Sequence, residues 1–139
     1  MNKTSTLSYN SSRAVKRVRA AFVNGTAQKF LADHDQQQNS QQHLRAAVAA
    51  LKPSVVAAAK YIGELSAAQG QAKKEQRGSE KVAGMSQLDT LADLYIDSLL
   101  LLLDCVESLS SSLKDSKGDA AELERCSKLA EDVLKQLGV

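Results

Sequence analysis

Tryptophan is absent from this chain, proline occurs once, and aromatic residues of all kinds make up 4%. With so few rings there is no platform on which successive nucleic-acid bases would stack. With so little proline, little forces a helix to stop. No segment alternates Val, Ile, Thr and aromatics with polar residues over several positions, so no sheet is expected. Two cysteines in 139 residues are too few for a disulfide-stapled scaffold, and they are not paired at zinc spacing. No glycine-rich phosphate loop and no nucleophile elbow occurs. His34 and His43 are the only histidines, and His34, between Asp33 and Asp35, matches no ligand motif. Catalysis, a resident metal and an organic cofactor are therefore not expected. Uninterrupted apolar runs such as Leu99 to Leu103 fall far short of the about 20 residues of a spanning helix.

What is present favours helix. Ala, Leu, Ser, Lys and Gln are the commonest residues, and small or unbranched side chains lose little freedom in a helix. A length of 139 residues suits one domain with a single core. The expected fold is all-α: an antiparallel bundle of about four helices over 12–33, 40–69, 86–114 and 119–137. Residues 1–11 read as a flexible tail and 70–85, with three glycines and mixed charge, as a linker.

The spacing of apolar residues sets these elements. Val15, Val18, Phe22 and Phe30 mark one face of the first helix, with Gly25 in the gap. A glycine there costs about 1 kcal/mol relative to alanine, which implies close approach of a neighbour or a local break. In the second helix Leu44, Val48, Leu51, Val55, Ala58, Ile62 and Leu65 keep an unbroken 3.5-residue seam. That seam keeps its phase through Pro53, so one helix kinked at Pro53 is expected rather than two. Leu88, Leu91, Tyr95, Leu99, Leu102, Val106, Leu109 and Leu113 form the third seam, and further leucines surround it, which marks a central helix. Leu123, Cys126, Ala130, Val133 and Leu137 form the fourth. Asn39 with Gln42, Ser86 with Asp89 and Asp119 with Glu122 read as N-terminal caps, and Gly138 as a C-terminal one.

Charge is unevenly placed. Residues 1–84 hold 13 Lys and Arg against 5 Asp and Glu, while 85–139 hold 5 against 11. The first explanation is internal, with basic side chains of the first helix meeting the acidic ridge Asp89, Asp93, Asp97 of the third.

The functional expectation is a non-catalytic interaction module of adaptor or scaffold type. Its partner is another protein, docked through an amphipathic helix, or a second copy of the chain. Leucine on the third helix exceeds what one seam requires, so Leu94 and Leu101 are the candidate contacts and Asp93 and Asp97 the charged rim. The alternative is a peripheral anion binder on membrane or nucleic acid, using Arg13, Lys16, Arg17 and Arg19. The expected location is cytoplasmic. The first 32 residues contain no acid, a composition that also suits organelle targeting.

Overall fold

The computed structural model describes the backbone of residues 3–34, 39–74 and 78–138, and the side chains of 12–34, 39–67 and 88–138. Four helices follow one another: α1 Lys3–His34, α2 Ser40–Lys74, α3 Gly78–Asp115 and α4 Ala120–Leu137. The fold is an all-α bundle with successive helices packed up and down. α1, α2 and α3 pack on one another pairwise. α4 lies along α3 alone, and its described backbone approaches neither α1 nor α2 closely.

The helices run longer than the spacing predicts. α1 begins at Lys3 and takes in most of the segment read as a tail. α2 continues to Lys74 and α3 starts at Gly78, so helix takes up most of the expected 70–85 linker, and 75–77 lie outside the described residues. Ser86 accordingly stands inside α3 rather than capping it. The physical reason is cooperativity. A helix already nucleated adds a backbone hydrogen bond with each further residue. Good formers such as Gln71, Ala72 and Lys73 offset isolated glycines at about 1 kcal/mol each. α2 also runs on through Pro53, which sits on its exposed side.

Helix ends explain the turns. Asp119 accepts a hydrogen bond from the Ala121 amide at 3.0 Å and starts α4. Glu122 is held by Arg45 of α2, where a capping box would turn it back to the Asp119 amide. Gly138 closes α4 in the left-handed conformation at φ 80°. α3 ends differently. Lys117 takes φ 54°, its amide reaches the Lys114 carbonyl, and the Gly118 amide reaches Leu113. That pattern satisfies the last carbonyls of α3 in a Schellman turn, with lysine at the position glycine usually takes.

The core has two parts. The larger joins Leu44, Leu51 and Val55 of α2, Leu99, Leu102, Val106 and Leu109 of α3, and Cys126 and Val133 of α4. The smaller joins Val15 and Val18 of α1, Ala58 and Leu65 of α2, and Leu91 of α3. The expected seams of α2, α3 and α4 all face these clusters. The stripe of α1 is different. Phe30 is 58% exposed, and the buried positions after Val18 are Gly25 and Ala32. Small residues at heptad spacing let α2 come close: a Cβ at Gly25 would lie 2.9 Å from Leu51 Cδ1 and Cγ. Close approach, not a break, is therefore what Gly25 serves.

Gly25 and Gly63 give opposite expectations for the same substitution. At Gly63 nothing lies within 4 Å of an added Cβ, so Gly63→Ala raises stability by about 0.5–1 kcal/mol. Gly25→Ala gains the same propensity but overpacks Leu51 at about 1–3 kcal/mol, for a net loss of about 1 kcal/mol. Chemical denaturation of both variants measures this. Equal stabilisation at the two sites would show that the α1–α2 seam is loose.

Candidate functional site

α1 and α3 are parallel neighbours running in step. Val15 and Val18 sit with Leu91 in one cluster, and farther along Lys29 Nζ stands 3.7 Å from Asp104 Oδ2. The outer surface of this pair carries most of the exposed large apolar side chains. Val23 and Phe30 stand on α1, and Ile96 (48% exposed) and Leu100 (51%) on α3. On α1 the spacing Lys16, Arg19, Val23, Phe30 keeps all four on one face. On α3 Asp89, Asp93, Ile96 and Leu100 likewise share a face, with Asp97 beside it.

The residues expected from sequence divide between wall and rim. Leu94 is half-buried against the smaller core cluster and Leu101 against the larger, so neither stands free. Asp93 and Asp97 are exposed. Ile96 and Leu100 take the open position instead. Leu100 lies farther round the cylinder from the buried seam than Leu94 or Leu101, at about 100° per residue. That wheel position was the available signal, and counting leucines alone missed it. Arg13, Lys16, Arg17 and Arg19 are all exposed on α1.

Internal neutralisation accounts for only part of the charge asymmetry. Between helices, Lys29 meets Asp104 at 3.7 Å, and Arg45 Nε donates to Glu122 Oε1 at 2.6 Å. Asp89, Asp93 and Asp97 form no ion pair with the described residues, nor do Lys16, Arg17 and Arg19. The expected meeting of the acidic ridge with the basic helix does not occur within the described chain. The cause is geometric: Lys16 and Arg19 stand with the aspartates on the exposed side of the α1–α3 layer, whereas the mostly buried Lys29 reaches across to Asp104. Burial pulls the Lys29 ammonium down, but its hydrogen bond to Asp33 and the charges of Asp104 and Asp33 outweigh this and raise its pKa. The hydrogen bond to Glu122 raises Arg45.

Polar contacts fix the helix register. Gln41 Nε2 donates to Ser112 Oγ at 2.9 Å, and Tyr95 OH donates to Gln136 Oε1 at 3.0 Å. His43 Nδ1 lies 2.8 Å from Gln28 Oε1. A shallow, open groove along the C-terminal half of α3 is lined by Asp104, Glu107, Asp115 and intervening serines. Ser98 is fully buried, and its hydroxyl has no hydrogen-bond partner among the described residues.

Among the described residues no three or more His, Cys, Asp or Glu side chains are grouped to hold a metal ion. His34 stacks on Phe30 with ring centroids 4.0 Å apart, and its Nδ1 lies 2.8 Å from the Phe30 carbonyl. Lys29 holds Asp33 at 2.7 Å, and Asp35 lies outside the described residues. Among the described residues one stretch, Ser40–Ala67, is by length and composition alone long and apolar enough to cross a membrane. In the bundle its leucines and Val55 are buried against α1 and α3, and alanine supplies much of the remaining apolarity. Comparison with protein-family models, curated proteins and solved structures finds no match.

Both cysteines are free and buried. Burial pushes the Cys105 thiol up to about 11, and burial also raises Cys126. Between pH 9 and 11 the unfolded chain gives up the Cys105 proton while the folded chain keeps it, so stability falls as pH rises through that window. The loss from Cys105 is on the order of 2–3 kcal/mol. Denaturation midpoints at pH 8 and pH 10.5 measure it, and Cys105→Ala should flatten the decline. An equally steep decline in that variant would assign the pH dependence to other groups.

Proposed function

We propose that this bundle is a non-catalytic protein-interaction module whose contact surface is the outer face of the α1–α3 layer. The observation that carries the reading is the exposure of Val23, Phe30, Ile96 and Leu100 along two adjacent, parallel helices. Single exposed apolar residues are ordinary, whereas aligned ones mark contact surfaces. Covering a side chain of this size gains about 1.5–3 kcal/mol, so a few such residues suffice as anchors. Leu94 and Leu101 form the half-buried wall of the face on the α1 side of α3, and Asp93 and Asp97 stand exposed at its rim. Such a rim favours a partner carrying basic residues and sets its register.

The test is a contrast between two surface changes. Ile96→Asp/Leu100→Asp alters the face, whereas Val56→Asp alters an exposed apolar residue on α2, 65% exposed. Binding partners recovered from the native extract should fall at least tenfold with the first variant and persist with the second, with helical content unchanged in both. Equal recovery by the two variants would place the contact surface elsewhere.

A second reading rests on a different observation. Lys16, Arg17 and Arg19 are exposed and without ion pairs among the described residues, and together with Arg13 they would suit an anionic membrane or nucleic acid. Binding to anionic vesicles or to DNA should then be strong at low salt and lost at high salt. No binding at low salt ends this reading.

A further inference from the structure

We propose that the occupant of the α1–α3 face is a second copy of this chain, related by a two-fold axis parallel to the helices. The proposal rests on the interaction reading above and commits it to one partner. Such an axis lays α1 of each copy over α3 of the other, parallel and at the same height. The heights follow from the structure: Val15 and Val18 stand level with Leu91, and Lys29 with Asp104. Lys16 and Arg19 therefore stand level with Asp89 and Asp93, and Val23 with the turn between Ile96 and Leu100.

Within one copy these residues stand side by side and point outward, so they do not neutralise each other. Across the two-fold axis they meet. Lys16 and Arg19 of one copy come over Asp89 and Asp93 of its partner, and Val23 comes over Ile96 and Leu100. The exchange is reciprocal, so the same contacts form twice and the assembly closes as a dimer. A surface of one sign, lipid or nucleic acid, would attract the α1 half of this face and repel the α3 half. A second copy complements both halves.

The size of the face sets the strength. About 15 residues of each helix give roughly 22 Å of length, and two helix diameters give roughly 20 Å of width. The resulting patch, on the order of 450 Å² per copy, is below the about 800 Å² of a standard stable interface. The dimer should therefore be a weak, reversible one.

Charge reversal tests this pairing with surface substitutions only. Sedimentation equilibrium of the full chain over a concentration series should show the monomer–dimer transition. Lys16→Glu/Arg19→Glu should weaken the dimer about tenfold or more, and Asp89→Lys/Asp93→Lys should do the same. An equimolar mixture of the two variants should recover a heterodimer of near wild-type affinity, because each contact then pairs opposite charges again. Three outcomes overturn the proposal: a chain that stays monomeric throughout, a dimer that either reversal leaves intact, or reversed variants that fail to recover on mixing. A monomer whose captured partners still depend on Ile96 and Leu100 overturns the second copy but leaves the interaction reading standing. A monomer without such partners overturns both.

Discussion

The third helix has to hide apolar surface on three sides at once, and the arrangement of the rest follows from that need. Leu91, Leu99, Leu102, Val106, Leu109 and Leu113 are all buried. At about 1.5–3 kcal/mol for each side chain withdrawn from water, they outweigh any other local contribution. α2 takes the central seam, α1 covers one flank and α4 the other. α4 is the shortest helix, and its backbone packs closely on α3 alone, with Arg45 of α2 reaching Glu122 by its side chain. The side of α3 left over carries Ile96, Leu100 and the exposed aspartates, so the candidate contact surface is what remains once three neighbours have been placed.

Electrostatics contributes little to holding the bundle. The two described ion pairs between helices, Lys29 with Asp104 and Arg45 with Glu122, involve partly exposed side chains. Pairs of that kind are worth about 0–1 kcal/mol. The opposite net charges of the two halves of the chain are mostly displayed outward rather than cancelled. Surface charge of that kind acts on encounter and orientation more than on folding. The molecule thus separates packing inside from patterned charge outside.

The seams of α2, α3 and α4 were legible in the sequence because each repeats at three and four residues with large apolar side chains. Passage through Pro53 was legible for the same reason, since the phase survives it. The buried stripe of α1 was not. Its important positions, Gly25 and Ala32, are small, and a reading weighted by bulk prefers Phe30, which lies outside. The long reach of α2 and α3 was hidden because glycines at Gly70, Gly78 and Gly84 signal a linker more strongly than cooperativity signals continuation. The third-helix cap was misplaced in consequence. At the end of α3, Gly118 suggests where the turn falls, yet the left-handed residue is Lys117. On the outer side of α3, the exposure of Asp93 and Asp97 was readable, but which leucines stay open depended on where α1 packs, and periodicity on one helix does not give that.

The central claim is that α3 is the hub on which the other helices depend. Native-state hydrogen exchange resolved by helix tests it most directly. Amides from Leu99 to Leu109 should exchange only through global unfolding, while those of α4 open earlier and at lower free energy. Exchange in that stretch of α3 as fast as in α4 would contradict the account.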